Sequence, residues 1–244
     1  MLPNERYSQW FVDYTTFSSC NIDFLCKTLD IVADSFNTIL PFEQEYYGNV
    51  LIMNSYYLES KSPITIKTNP VISNIIFLSI EDCKYIGQVV YQLSHEIAHV
   101  LMNSIPRDVK IRWIGEVFAS LSSFVILKLA ANQPFKQDVF ERYLTNNVIS
   151  KIASTSSIKE WVNKNYDNLI NPYSKELAYS DWLITYIYPI SLFIYNNIID
   201  DFSELAIMCM FRLIDMSRVQ TYEDFFKQLK SICENSIILS LLDS

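Results

Sequence analysis

The chain has 244 residues, half of them apolar, with 16 Tyr and 15 Phe but only 3 Gly, which describes a folded globule and excludes disordered and fibrous classes. A net charge of −8 with no Lys/Arg cluster excludes a nucleic-acid footprint and a polybasic arm for anionic lipid, so neither is expected as a partner. Five cysteines, Cys20, Cys26, Cys83, Cys209 and Cys233, are odd in number and form no C-x-x-C pair, and they read as reduced, mostly buried thiols of a cytoplasmic protein.

The start, Met1 to Tyr7, carries Glu5 and no apolar run, so no secretory signal is expected. Asn21 to Leu40 predicts a helix, capped by Ser19 or Asn21 and ended by Pro41, with Ile22, Leu25, Leu29, Val32, Phe36 and Ile39 on its apolar face. Tyr46 to Met53, Ile64 to Lys67 and Val71 to Ile80 are short, rich in Ile, Val and Tyr, and broken by Gly48, Pro63 and Pro70, which predicts strands of a small sheet. From Asp82 onward the pattern is helical. Helices are predicted from Lys84 to Asn103, Pro106 to Ala131, Pro134 to Ser150 and Ile158 to Ile170. Tyr173 to Asp201 is predicted to kink or split at Pro189, and Phe202 to Met216 and Tyr222 to Glu234 complete the set. Leu183 to Ile199 has no charge over seventeen residues but holds Pro189, Asn196 and Asn197, and reads as a buried core helix. The fold class is α+β, with residues 1–104 as an N-terminal α/β part and residues 105–244 as an all-helical part.

The only two histidines, His95 and His99, stand four residues apart on the Lys84 to Asn103 helix, with Glu96 directly after the first. Positions i and i+4 share one helix face, so two imidazoles there can reach one metal ion. Neutral imidazole suits Zn2+, and a catalytic zinc takes three protein ligands and a water. Glu96 is placed to accept a proton from that water. This is the H-E-x-x-H arrangement.

No third histidine remains, so the third ligand must be a carboxylate or a thiolate. The best candidate is Glu116, seventeen residues after His99 on the next helix. A turn at Pro106 returns that helix antiparallel, and Gly115 and Ala119 allow close approach.

H-E-I-A-H followed by W-I-G-E-V-F-A resembles the gluzincin peptidases, and the spacing of Trp113, Glu116 and Ala119 is similar to the W-x-x-E-x-x-A segment of aminopeptidase-N-like enzymes. The resemblance covers residues 91 to 121. It implies a zincin-like fold and a zinc-dependent peptidase acting on a peptide or protein substrate, with one Zn2+ held by His95, His99 and Glu116 and with Glu96 as general base. It also implies a tyrosine that stabilises the oxyanion, for which Tyr179 is the first choice, Tyr186 the second and Tyr173 the third. The strand Asn74 to Ser79 resembles in position the edge strand that holds peptide substrates by backbone pairing, and it reads equally well as a plain core strand.

The sequence departs from the family in three places. No G-x-M-E-N segment precedes His95, no further histidine is present for the oxyanion, and Ser120 stands where thermolysin-like enzymes carry an Asp. Tyr91 to His99 is also similar to ImmA/IrrE-type regulatory proteases, although Leu121-Ser122-Ser123-Phe124 replaces their usual L-L-M-P stretch. A catalytically inactive zincin-fold binding protein is the remaining alternative.

Overall fold

The structure is a computed structural model that describes residues 2–3, 10–17, 20–39, 48–56, 63–68, 73–102, 109–132, 137–172 and 177–243. The architecture is α+β. The chain forms two compact units, Met1–Leu101 with Ile126–Leu144, and Met102–Val125 with Thr145–Ser244.

In the first unit a five-stranded sheet is built from β1 (Leu2–Pro3), β2 (Trp10–Val12), β3 (Val50–Asn54), β4 (Ile64–Lys67) and β5 (Asn74–Leu78), in the order β1-β2-β3-β5-β4. The β2, β3 and β5 strands run parallel, while β1 and β4 are antiparallel to their neighbours. Strand β5 therefore pairs on both sides, with Ile76 opposite Ile52 on β3 and Thr65 on β4. Of the two readings of Asn74 to Ser79, an edge strand or a plain core strand, the structure shows the core strand, and among the described residues the edge on this side is β4. Apolar residues at Ile76, Leu78 and Ile80 suit the strand to the interior, all of them fully buried. Strand β4 carries Ile64, Ile66 and Lys67 exposed and only Thr65 half-buried, the pattern of a strand with one solvated face.

Helix α1 (Ile22–Ile39) begins at Asn21, whose side chain accepts from the Phe24 amide at 3.1 Å, satisfying one of the first-turn donors. Of the two caps expected, Ser19 lies outside the described residues. Just before α1, Cys20 is joined to Cys83 by a disulfide with Cα atoms 5.1 Å apart. The reading of all five thiols as reduced is thus corrected. Two thiols placed by the start of α1 and the turn before the next helix meet across 63 residues of chain, a pairing that spacing in sequence does not display. Closing a loop of 63 residues stabilises the fold by about 4 kcal/mol through the unfolded chain. Cys26, Cys209 and Cys233 are free thiols, each half-buried. The inference from reduced thiols to a cytoplasmic protein loses its premise with this bond.

Helix α2 (Ile86–Met102) follows. Two amide side chains act as two-point clamps, one joining β3 to the segment after β5 and one joining α2 to that same segment. Asn54 donates to the Ile80 carbonyl at 2.8 Å and accepts from the Ile80 amide at 3.0 Å, while Gln92 donates to the Ser79 carbonyl at 3.0 Å and accepts from its amide at 2.8 Å. Both side chains are buried, so each clamp satisfies groups that would otherwise cost about 1 to 3 kcal/mol apiece.

Helix α3 (Val109–Ala131) is buried at every position from Trp113 to Leu127. A helix apolar all round is a core helix. Among the described residues it supplies the one segment, Ile111–Ala131, long and apolar enough to cross a membrane, and 89% of that window is buried within the fold. Helix α4 (Gln137–Arg142) passes into a π-helical stretch, Tyr143–Val148, where the sequence predicts an unbroken helix to Ser150.

In the second unit α5 (Ile158–Leu169) starts at Ser157, whose hydroxyl caps the Glu160 amide. Next come α6 (Tyr179–Trp182), a π-helical turn Leu183–Ile187, and α7 (Tyr188–Ile198), so the break expected at Pro189 falls just before it and leaves the proline in the first turn of α7, where its missing amide is harmless. The uncharged stretch from Leu183 is buried at Ile187, Tyr188, Pro189, Ile190, Ser191, Ile194, Tyr195 and Ile198. Phe202–Leu213 is 3-10 helical, and α8 (Tyr222–Ile232) and α9 (Ile237–Leu242) end the chain.

Candidate metal centre

An α-helix turns by about 100° per residue, so consecutive positions of α2 face different neighbours. Gln92 and Glu96, one turn apart, form the face directed at the sheet: Gln92 holds Ser79, and Glu96 accepts from the Thr65 hydroxyl of β4 at 2.7 Å through Oε2. His95 and His99 form the adjoining face, their rings 4.9 Å apart and inclined at 74°. The Gln92 clamp thereby ties α2, one turn before Glu96, to Ser79 directly after β5.

His95, His99 and Glu116 come together, each offering one ligand atom, and those atoms all lie within 4.8 Å of one another. His95 is 7%, Glu96 3% and Glu116 4% exposed, and His99 is half-buried. Such a buried group could hold a metal ion. Tetrahedral coordination at about 2.0 to 2.2 Å separates ligand atoms by roughly 3.3 to 3.6 Å, so side-chain rotations of about an ångström close the set around a zinc-sized ion. Two imidazoles and one carboxylate are also the donor types that zinc accepts in sites with an open position.

A second feature fits a polar occupant. Trp113, Glu116 and Ser120 follow one another at i, i+3 and i+7 on a single face of α3. Both the Trp113 indole nitrogen and the Ser120 hydroxyl are buried without a hydrogen-bond partner among the described residues. Buried polar atoms are nearly always paired, and those left over cluster where water, an ion or chemistry is to be served. The other serines of this helix are satisfied: Ser122 and Ser123 donate back to the carbonyls of Phe118 and Ala119.

The tyrosines named for the oxyanion are placed as follows. Tyr179 begins α6 half-buried and stacks on Trp182, with ring centroids 5.5 Å apart. Tyr186 lies in the π-helical turn, where its carbonyl accepts from the Trp161 indole at 3.0 Å. Tyr173 lies outside the described residues. Thr65 is the contact to this site that sequence reasoning does not reach, since a threonine in a four-residue strand carries no local sign of the helix it will face.

A cavity of about 620 Å3 in the second unit, lined among others by Val162, Tyr166, Tyr222, Phe226 and Lys227, includes none of the three ligands or Glu96, so cavity size and metal chemistry point to different places. The donor set is the more specific sign, because it combines residue type, spacing and burial. Comparison of the chain with protein-family models, with curated proteins and with solved structures finds no match.

Proposed function

We propose that this chain is a zinc-dependent metallopeptidase of the gluzincin type, in which His95, His99 and Glu116 hold one Zn2+ and Glu96 is the general base. The observation that carries the reading is the convergence of the two histidines of α2 with the glutamate of α3, beside a second buried carboxylate that is not needed as a ligand. When bound, the ion supplies Lewis acidity that polarises a peptide carbonyl and makes water a better nucleophile at neutral pH. Glu96 accepts the proton of the attacking water at a carboxylate oxygen and returns it to the leaving amine.

The place of β4 supports a peptide as substrate. Among the described residues it stands last in the order of the sheet, and an extended chain adds to such an edge strand by main-chain hydrogen bonds. The strand that would receive the peptide is the strand that carries the Thr65 contact to Glu96.

The test is cleavage of an unbiased peptide library by the zinc-loaded protein, with products read by mass spectrometry. The wild type is expected to cut, and Glu96→Gln to keep its zinc while slowing at least about 100-fold, the usual contribution of a positioned base. Hydrolysis at wild-type rate in that variant would remove Glu96 from the mechanism, and a zinc-loaded wild type that cuts nothing would leave a binding protein.

A further inference from the structure

We propose that Thr65 is a positioning residue for Glu96: its hydroxyl, carried on the edge strand, holds one carboxylate oxygen and so presents the other for proton transfer. This rests on the metallopeptidase reading given above and adds to it a residue outside the H-E-x-x-H segment.

Thr65 Oγ1 lies 2.7 Å from Glu96 Oε2 and 3.2 Å from the Glu96 carbonyl oxygen. A hydroxyl has one proton to give, and the shorter, charge-assisted contact takes it. That leaves Glu96 Oε1 as the oxygen not engaged by Thr65. A glutamate side chain has three rotatable bonds, whereas threonine is stiff about its first, so the donor fixes the acceptor rather than the reverse.

The contact is itself fixed from two directions. Thr65 sits opposite Ile76 in the β4–β5 ladder, whose pairs run from Ile64 with Phe77 to Lys67 with Asn74, and β5 is held on its other side by β3. From the helix side, Gln92 anchors α2 one turn before Glu96 by its two bonds to Ser79. Both ends of the Thr65 to Glu96 contact are thus attached to the same sheet, and the carboxylate is held between a strand and a helix whose separation is set elsewhere. A base displaced by about 1 Å typically loses of order 100-fold in rate, so a hydroxyl that prevents that displacement has a kinetic signature.

The experiment compares zinc-loaded wild type, Thr65→Val and Thr65→Ser. Valine keeps the β-branch and removes the hydroxyl, and serine keeps the hydroxyl. The readouts are kcat and KM on a peptide that the wild type cleaves, and the carboxyl carbon resonance of 13C-labelled Glu96. Thr65→Val is expected to lower kcat about 10- to 100-fold with KM within about twofold and one zinc retained, and to move the Glu96 resonance, while Thr65→Ser stays within about threefold of wild type. In the wild type itself the Thr65 hydroxyl proton is expected to exchange slowly with water, a readout that needs no variant to fold. Unchanged kcat and resonance in Thr65→Val, a serine variant no better than the valine one, or a fast-exchanging hydroxyl in the wild type would overturn the proposal. A wild type that cleaves nothing while the resonance responds as expected would defeat the peptidase reading and leave the positioning of Glu96 standing.

Discussion

Ser120 carries a fully buried hydroxyl with no hydrogen-bond partner among the described residues, one helical turn after Glu116. An unpaired donor of this kind costs the fold its desolvation, about 1 to 3 kcal/mol, and replacing it by a methyl group removes that cost. In the metal-free protein Ser120→Ala is therefore expected to raise the free energy of unfolding by about 1 kcal/mol, measured by urea titration in the presence of a chelator. A loss of stability would show that the hydroxyl is satisfied after all. At this scale the sequence is most informative where partners are close along the chain. His95, Glu96 and His99 are legible because a helix converts a spacing of four into a shared face. Glu116 was reached by elimination among ligand types and by resemblance. Thr65 was not reached, because 31 residues separate it from Glu96 and nothing local marks the pairing.

Among the elements, α2 shows how a helix is seated. Gly87, in its first turn, is buried, and a Cβ there would meet the Tyr143 side chain at 2.5 Å from Cγ, so only glycine lets the π-helical stretch pack against the helix. Burial against α2 pushes the Tyr143 phenol up to about 12 from an ordinary value of 10.0. The sign follows from which state keeps its proton. Below pH 10 both states are protonated and the contribution is fully present. Above it the unfolded chain releases the proton first, so stability falls as pH rises toward about 12. Unfolding free energies from denaturant titrations between pH 9 and 12 are expected to drop by at most about 2 kcal/mol through this group, and Tyr143→Phe to lessen the slope. Tyr222, raised in the same direction chiefly by burial, retains part of the slope in that variant. An unchanged slope would mean that Tyr143 titrates equally in both states. Helices α1, α2, α3 and α5 lie within a few residues of their expected bounds because their caps and apolar periods are local. The π-helical stretches and the 3-10 helix at Phe202–Leu213 are changes of winding that an apolar period does not resolve.

For the molecule as a whole, an α+β fold was legible from strands giving way to helices, but the order of the strands was not. Three parallel strands flanked by antiparallel ones place β5 inside the sheet and leave β4 at its edge, an outcome of long-range pairing rather than of composition. The Cys20–Cys83 bond is of the same kind, invisible in spacing and evident once two distant turns adjoin. The His95, His99 and Glu116 group, which could hold a metal ion, is the most demanding case, since its members come from two different helices. The most direct measurement is X-ray absorption on the zinc-loaded wild-type protein and on Glu116→Ala. One zinc with two imidazole nitrogens and a carboxylate oxygen at about 2.0 to 2.2 Å is expected, with loss of the oxygen shell or of the metal in the variant. Sulfur ligation, or an identical coordination shell after Glu116 is removed, would contradict this ligand set.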